Sequence, residues 1–366
     1  MIKYLGSKRR FTDLLGMMAE ASGASTALDV FTGTTRVAQE FRRRGIEVTA
    51  IDSARYSEVF AQTYLELRSS DFEPDEITNA LSKLNALPGK PGYVTRTFCE
   101  EARYFTPENG ARIDAIRDYI EANHKGTPLY PILLTSLILA ADKVDSTVGL
   151  QMAYLKKYAA RALNDMVLLP PIMIDGPRGH AVRGDAATVL ASVGRVDLAY
   201  LDPPYNQHSY FGNYHIWETL VAWDAPEAYG IARKRIDTKE SKSKSAFNRK
   251  HQIADAMRQV LGAVNAPIVI LSFNNEGYLT LAELTELCKA KGCVRVLAFD
   301  YKRYVGAQIG IYNPSGVSTG TVSHLRNLEY VIVCGEDADS VDNVVAAAQL
   351  VSLDLYGSEA VDLTED

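Results

Sequence analysis

The segment "LDPPY" at residues 201–205 places an acid, two prolines and an aromatic residue directly after the apolar run "VDLAY". Proline has no amide hydrogen and fixes its own backbone angle, so this segment ends a strand and forms a stiff loop. Ligands of open α/β sheets bind at the carboxyl ends of strands, where such a loop would lie. We define residues 202–205 as the Asp202 loop and predict that it is catalytic, with these members: Asp202, Pro203, Pro204 and Tyr205.

The Asp202 loop suits a planar heterocycle that carries an exocyclic amine. The carboxylate of Asp202 and the carbonyl of Pro203 can accept both amine hydrogens, while Tyr205 stacks on the ring. Holding the amine in this way withdraws its lone pair from the ring, so the nitrogen can attack an electrophilic methyl group. A turn or helix cap is the purely structural alternative for Asp202.

A second candidate site is the stretch "LDVFTGTTRVAQEF" at residues 28–41. A predicted strand ends at Phe31, a turn contains Gly33, and a helix follows. Glycine lets the backbone approach a ligand, and the helix N-terminus adds a positive dipole. Asp52 ends the next strand, where it can accept hydrogen bonds from ribose hydroxyls. A nucleotide-like cofactor is one interpretation and a structural turn is the other, while the missing Gly-Lys-Ser/Thr argues against a triphosphate loop.

Two blocks of short apolar runs and helical patterns must position these residues. They predict an α/β fold with a Rossmann-like sheet, mainly parallel with one antiparallel strand. In the first block, Ser7 caps a helix over 8–22, followed by a strand over 26–31, a helix over 35–44 and a strand over 46–52. In the second block we predict strands over 181–185, 196–202, 267–273, 293–304 and 327–333, and helices over 213–223, 250–263 and 280–291. The last two strands have no helix between them and are expected to pair antiparallel.

The pattern of elements divides the chain into three parts. Residues 1–54 and 179–335 form the predicted catalytic domain. Residues 55–178 form a helical insertion, with helices near 108–125 and 134–144. Residues 336–366 carry nine acidic residues and no Lys or Arg, which predicts an acidic tail with a short helix around 342–352 and otherwise disorder.

The 366 residues carry a net charge of −6, but that charge is unevenly distributed. The segment 231–250 contains eight basic and two acidic residues, which favours a phosphate-bearing partner or, alternatively, a solvated loop. No apolar stretch is long enough to cross a bilayer. The beginning "MIKYLGSKRR" lacks the apolar segment of a secretion signal, so we expect a cytoplasmic protein with no membrane association. Four cysteines and the histidines lack metal-ligand spacing, so no metal is predicted.

The motifs "KYLGSK" (3–8), "DVFTGTT" and "DPPY" occur in this order, and together they resemble the Dam-type, class alpha-like DNA adenine-N6 methyltransferases. The resemblance extends over about 3–335 and implies S-adenosylmethionine (SAM) as cofactor, base flipping, and double-stranded DNA as substrate. It places the following residues at the cofactor: Tyr4, Lys8, Phe31, Gly33, Asp52, Asp185 and Asp202. Thr35 departs from the family, whose turn usually has a second glycine there. For Lys8, an exposed basic helix start is the structural alternative, and for Asp185 a helix cap.

The resemblance also implies that the insertion recognises the target sequence. Candidate base-reading residues there are Lys143, Thr147, Gln151, Lys156, Lys157 and Arg161. Tyr210 or Phe211 is a further stacking candidate, whereas Tyr214 and Trp217 have core spacing. The hairpin 300–327 also carries basic and amide groups that suit DNA or a surface loop.

We therefore predict a site-specific adenine methyltransferase of a restriction-modification, phage or orphan system, with a cognate restriction endonuclease as a possible partner. Cytosine-N4 methylation is the alternative, because the Asp202 loop fits either amine. Cytosine ring-carbon methylation is disfavoured, since it needs a nucleophilic cysteine and the chain has no Pro-Cys pair. A nicotinamide oxidoreductase and a catalytically silent DNA-binding module are alternatives of other classes.

Overall fold

The computed structural model describes residues 2–240, 244–302, 311–312, 318–320, 326–356 and 361–364. The chain forms two compact units, each built from three segments. The first unit comprises Met1–Arg9, Thr32–Asp185 and His208–Ser245, and the second comprises Arg10–Phe31, Ala186–Gln207 and Ala246–Asp366. These bounds differ from the predicted divisions after residues 54 and 178, and the functional division of the chain stays a prediction.

The second unit is built on strands β1 (Thr26–Val30), β4 (Leu198–Leu201), β7 (Ile268–Asn274), β8 (Cys293–Lys302), β11 (Arg326–Gly335) and β12 (Val361–Asp362). Their order is β12-β8-β11-β7-β4-β1. The β1–β4 and β4–β7 pairs are parallel, whereas β11 runs antiparallel to both β7 and β8. The predicted α/β class, with a mainly parallel sheet and an antiparallel pairing of the last two long strands, is confirmed. The two-residue strand β12, antiparallel to β8, is an addition.

The helices of the second unit are α1 (Thr12–Ala21), α7 (Ala186–Val189), α10 (Ile253–Ala263), α11 (Leu281–Cys288) and α12 (Ala338–Tyr356). Helix α12 belongs to the acidic segment and packs against α1, β8 and β11. Val341, Val344 and Ala348 on α12 are fully buried. The helix predicted around 342–352 is therefore confirmed but is longer than expected, and the expected disorder is wrong for residues 338–341 and 353–356. Valines spaced three and four apart give the helix an apolar face.

The first unit contains β2 (Glu47–Asp52) and β3 (His180–Arg183), which pair in parallel. Its helices are α2 (Arg36–Arg43), α3 (Arg55–Ala61), α4 (Glu76–Asn85), α5 (Pro107–His124), α6 (Leu129–Lys143), α8 (Tyr210–Asn213) and α9 (His215–Ala222). Residues 55–178, all of which the structure describes, contain helices and turns but no strand, as predicted for the insertion. Helices α3, α5, α6 and α9 enclose a core that includes Trp217, Phe105 and Leu137.

Local sequence signals set several of these helix ends. Helix α5 begins where Thr106 accepts a hydrogen bond from the Asn109 amide and Pro107 occupies the first helical position, a favourable combination because proline lacks an amide that the helix would leave unpaired. The prediction that Ser7 caps the first helix is wrong. Lys8–Arg10 form a short 3-10 turn, and α1 begins only at Thr12, after Phe11.

Two small antiparallel pairs complete the described structure. Strands β5 (Ala228–Tyr229) and β6 (Lys234–Arg235) form a short hairpin in the first unit. Strands β9 (Ile311–Tyr312) and β10 (Ser318–Gly320) pair within the predicted DNA-contacting hairpin 300–327, most of which lies outside the described residues. Within the described part of the chain, every helix is too short or too polar to cross a bilayer.

Candidate active site

The turn after β1 and the end of β2 meet through one carboxylate in the first unit. Oδ2 of Asp52 accepts the Gly33 amide at 2.8 Å, and Oδ1 accepts the Ala54 amide at 2.9 Å. Burial raises the pKa of the Asp52 carboxyl above its ordinary value of 3.8, and these amide hydrogen bonds oppose that effect. The Ser53 amide also bonds this carboxylate, and because a carboxylate accepts about four hydrogen bonds, Asp52 keeps capacity for about one more donor.

Gly33 is required at its position for two reasons. Its φ is +52°, and an added Cβ would lie 3.0 Å from the ring and hydroxyl of Tyr4. Glycine adopts this left-handed conformation without a steric penalty and lets the turn lie close against the Tyr4 ring. Thr35, the predicted departure from a second glycine, also adopts a left-handed φ of +60° and is fully buried. Its hydroxyl accepts a hydrogen bond from Gln39 Nε2 at 2.8 Å.

Tyr4 lies in an aromatic cluster beside this turn. Its ring stacks on Tyr214 at 4.6 Å and on Tyr210 at 5.2 Å between centroids, and its hydroxyl lies 3.3 Å from that of Tyr56. Burial raises the pKa of Tyr4 well above its ordinary value, so the phenol stays neutral. Tyr210, the further stacking candidate, is partly exposed and stacks one face of its ring on Tyr4, and its contact with a target base stays a prediction. Tyr214 and Trp217 are buried, which confirms their core assignment.

The N-terminal segment that carries Tyr4 is fixed at several points. The Leu5 amide donates to the Tyr214 hydroxyl at 2.6 Å, and Lys3 Nζ lies 3.1 Å from carboxylate oxygens of both Asp142 and Asp145. Burial raises the pKa of Asp142 to about 6, and the positive charge of Lys3 opposes that rise. The segment is therefore anchored to the end of α6, which sets the position of Tyr4.

Lys8 and Asp185 differ in their exposure. Lys8 is only 6% exposed, so the alternative of an exposed basic helix start is wrong. Asp185 is exposed and follows Gly184, whose amide donates to the Asp52 carbonyl at 2.9 Å. The first unit thus brings Tyr4, Gly33 and Asp52 together and holds the turn before Asp185 at the end of β2.

The Asp202 loop belongs to the second unit and follows β4 directly. The Asp202 amide donates to the Val30 carbonyl at 3.3 Å, and the Tyr278 amide donates to the Tyr205 carbonyl at 2.8 Å. The Tyr205 ring lies 5.4 Å from that of Phe273 at the end of β7. The loop is therefore fixed at one end by β1 and at the other by the segment that follows β7. Pro203 is buried, and Asp202, Pro204 and Tyr205 are partly exposed.

Phe31 is the other predicted cofactor residue in the second unit. It adopts a φ of +69°, unusual for an aromatic residue, and its ring meets Phe247 edge-on at 5.0 Å between centroids. Non-glycine residues in this region carry strain that surrounding contacts must offset, and they cluster at functional sites. The backbone strain therefore lies immediately before the Gly33 turn.

Glu218 on α9 is a residue that sequence reasoning missed. It is 2% exposed, and Oε1 accepts the Arg55 amide at 2.6 Å, so it satisfies the first turn of α3 from a different helix. Burial raises its pKa from 4.5 to about 7. The only signal in the sequence is an acid inside the apolar stretch "HIWETL". Through Arg55, Glu218 fixes the turn that follows Asp52.

Part of the candidate base-reading set serves the structure instead. Thr147 and Gln151 are buried. Thr147 donates to Asp145 at 2.6 Å, Gln151 accepts the Ile216 amide at 2.8 Å, and Arg161 pairs with Asp145 at 2.7 Å. The polar groups of these three side chains bond other residues of the protein, and these contacts stabilise the insertion. Three candidates are exposed: Lys143, Lys156 and Lys157.

The basic segment 231–250 is also only partly a charged surface. Arg235 is 4% exposed and pairs with Asp224 at 2.7 Å and Asp237 at 2.8 Å, and Arg233 pairs with Glu101. Residues 241–243 lie outside the described structure. Among the described residues there is no group of three His, Cys, Asp or Glu side chains placed to hold a metal ion.

The chain is similar to known DNA methyltransferases over most of its length. A family model described as "D12 class N6 adenine-specific DNA methyltransferase" matches residues 4–263. The chain is 27% identical over 338 residues to the "Type II methyltransferase M.NlaIII" of Neisseria lactamica, covering 88% of this chain and 98% of the relative. It is 29% identical to the "Type II methyltransferase M.CviAII" of Paramecium bursaria Chlorella virus 1, covering 83% and 92%.

A third relative is longer than this chain. The "Modification methylase StsI" of Streptococcus sanguinis is 30% identical over 322 residues, covering 83% of this chain and 49% of the relative. The similarity therefore reaches about half of that protein and nearly all of the first two.

Proposed function

Because the chain belongs to the D12 class N6 adenine-specific DNA methyltransferase family, we propose that its Asp202 loop binds the N6 amine of a target adenine and that its first unit binds SAM. The observation that carries this proposal is the fixed Asp202 loop at the carboxyl end of β4, held by the Val30 carbonyl and the Tyr278 amide. A rigid loop can present its acceptors without reorganising, which is the condition for effective positioning.

Several residues of the first unit suit SAM. The Asp52 carboxylate can accept a ribose hydroxyl beside the amides it already holds, and the Gly33 turn lies directly against Tyr4. Tyr4, Lys8, Gly33, Asp52 and Asp185 are the proposed contacts there. Phe31 and Asp202, which belong to the second unit, stay predicted cofactor residues. When bound, SAM supplies an electrophilic methyl group on a sulfonium sulfur, which becomes a neutral thioether.

The chain itself supplies alignment and hydrogen-bond acceptors. Asp202 and the Pro203 carbonyl accept the two N6 hydrogens, which directs the nitrogen lone pair out of the ring plane. Pro204 keeps the loop stiff, and Tyr205 stacks on the adenine ring. The acceptor nitrogen gains a carbon and loses one proton, and the Asp202 carboxylate is the group that faces that proton.

The relatives extend the proposal to a biological setting. Two carry the name type II methyltransferase, so we propose that this chain protects a DNA site from a cognate restriction endonuclease. DNA methylated by the chain would then resist an endonuclease that reads the same site.

One experiment separates the candidate functions. The protein is incubated with methyl-labelled SAM and mixed-sequence duplex DNA, and the DNA is digested to nucleosides. Labelled N6-methyladenine is the expected product. Labelled N4-methylcytosine would support the cytosine alternative, and unlabelled DNA would support a catalytically silent DNA-binding module.

A further inference from the structure

Helix α3 begins without a capping side chain of its own. It starts at Arg55, and the preceding residue is Ala54, which has no side-chain oxygen to accept an amide. The first amides of a helix have no partner within the helix, so another group must accept them. Oε1 of Glu218, on α9, accepts the Arg55 amide at 2.6 Å. Glu218 therefore takes the place of a cap, although it lies 163 residues away in sequence.

The start of α3 is connected to two residues of the proposed cofactor site in the first unit. The Ala54 amide donates to Oδ1 of Asp52 at 2.9 Å. Tyr56, the second residue of α3, places its hydroxyl 3.3 Å from that of Tyr4. A shift of this helix start would therefore move a donor to Asp52 and a neighbour of Tyr4 together.

Helix α9 reaches the same residues at a second point, one helical turn before Glu218. The Glu218 amide donates to the Tyr214 carbonyl at 3.2 Å, so these two side chains lie on the same side of the helix. The Tyr214 ring stacks on Tyr4 at 4.6 Å and meets the Tyr56 ring edge-on at 6.1 Å between centroids. Tyr214 and Glu218 together hold Tyr4 and the start of α3 in a fixed relation.

Glu218 is an expensive residue to place at this position. Its side chain is buried, and its Oε2 lies 3.8 Å from Nε of Arg55. Burial, and to a smaller extent the nearby negative charge of Asp52, raises the pKa of the Glu218 carboxyl to about 7. An apolar side chain would avoid this cost of burying a polar group. What the carboxyl supplies, and an apolar side chain would not, is the hydrogen bond to the Arg55 amide.

We propose that Glu218 is a positioning residue for SAM binding, which holds the start of α3 so that Ala54 and Tyr56 keep Asp52 and Tyr4 in place. A preorganised site binds more tightly, because it loses less conformational freedom when the ligand binds. Loss of the Glu218–Arg55 hydrogen bond should therefore weaken SAM binding more than it slows methyl transfer from bound SAM. This inference rests on the proposed function, because it concerns how the first unit holds the same cofactor.

The first test compares two uncharged replacements of similar size. Glu218→Gln keeps an oxygen that can accept the Arg55 amide, whereas Glu218→Met lacks one. Both remove the negative charge, so the hydrogen bond is the main difference between the two variants. The SAM Kd is measured by isothermal titration calorimetry. Values of kcat and of KM for SAM are measured with a duplex whose target site has been found by mapping methylated adenines.

A second pair of variants removes the donor instead of the acceptor. Arg55→Pro deletes the amide that Glu218 accepts, and proline is well tolerated at the first position of a helix. Arg55→Ala keeps the amide and is the control for loss of the Arg55 side chain. Asn109→Leu is the control for loss of a buried acceptor elsewhere in the first unit, since Asn109 is buried and accepts the Met166 amide at 3.0 Å.

We expect Glu218→Met and Arg55→Pro to raise the SAM Kd about tenfold or more, and Glu218→Gln and Arg55→Ala to stay within about threefold of wild type. The KM for SAM should rise with the Kd, while kcat changes less. Asn109→Leu should lower the urea midpoint of unfolding but leave the SAM Kd within about twofold of wild type.

Three outcomes would overturn the inference and differ from one another. Equal SAM affinity within either pair, with wild-type binding intact, would contradict the positioning role alone. Weakening by Asn109→Leu as large as that by Glu218→Met would show that general destabilisation causes the loss of affinity. Failure of the wild-type chain to bind SAM would contradict the proposed function and the positioning role with it.

Discussion

The Asp52 carboxylate accepts the Gly33 amide at 2.8 Å, so the end of β2 holds the turn that follows β1. This bond joins two residues that the sequence had separately suggested as cofactor contacts. Its effect is to fix the Gly33 turn and the Asp52 carboxylate relative to each other.

Asp52→Ala should weaken SAM binding about tenfold to a hundredfold, because it removes the proposed ribose acceptor and releases the Gly33 amide. Isothermal titration with SAM measures this. Asp197→Ala is a suitable control, since Asp197 also accepts backbone amides, at Ser25 and Thr26. It should lower stability while leaving the SAM Kd within about twofold. A similar loss of SAM affinity in both variants would argue against a direct role for Asp52.

Gly33→Ala and Gly23→Ala impose a similar backbone cost in different surroundings. Gly23 has a φ of +68° with open space around it, whereas a Cβ at Gly33 would meet Tyr4 at 3.0 Å. Each substitution should cost about 1 kcal/mol of unfolding free energy from the left-handed backbone. Only Gly33→Ala should add a steric cost and weaken SAM binding. Urea unfolding and SAM titration of both variants check this, and unchanged SAM affinity in Gly33→Ala would contradict the proposed site.

Asp202→Ala should lower kcat about a thousandfold or more, because the target amine loses its charged acceptor. The backbone hydrogen bonds that join the loop to Val30 and Tyr278 do not involve the substituted carboxylate and stay available in the variant. SAM and DNA affinities are therefore measured separately from single-turnover rates. Near-normal turnover would refute the role of Asp202 in holding the amine.

Glu218 should make stability depend on pH. Its folded pKa is raised from 4.5 to about 7 by burial, so between these values the folded state holds a proton that the unfolded chain releases. The contribution of Glu218 to the free energy of unfolding is therefore fully present below about pH 4.5 and is lost as the pH rises through about 7. Across this pH range the free energy of unfolding falls by on the order of 3 kcal/mol.

Glu218→Gln should remove this pH dependence, because the amide does not titrate. Unfolding free energies of wild type and variant, measured by urea denaturation from about pH 5 to about pH 8, should diverge across that range. A difference that stays constant with pH would contradict the raised pKa of Glu218.

Much of the catalytic framework could be predicted from local sequence. Apolar runs ending at Val30, Asp52 and Leu201 became β1, β2 and β4, because short buried strands are encoded by contiguous hydrophobic residues. The turn at Gly33 and the loop after Leu201 follow from glycine and proline chemistry in the same way. The antiparallel course of β11 was predictable too, since no crossover helix precedes it.

The parts that were missed depend on contacts between distant residues. Nothing local marks Gln151 as buried, because its partners are Ile216 and the His215 ring, more than sixty residues away. Glu218 likewise acquires its role only by meeting Arg55. The prediction of disorder in the acidic segment failed at α12, because it was based on the negative charge of the segment and not on the spacing of its apolar residues. Spacing along the chain therefore indicated elements and turns but could not assign tertiary partners.

The stacking of Tyr4 on Tyr210 and Tyr214 has a consequence for how the protein is made. The two rings that stack on Tyr4 are synthesised more than two hundred residues after it. The segment that carries Tyr4 cannot complete its packing until those rings are made, and its docking closes a very long loop of chain. Nascent chains that end before Tyr210 lack both stacking partners of Tyr4, so the proposed cofactor site is completed only after they are made.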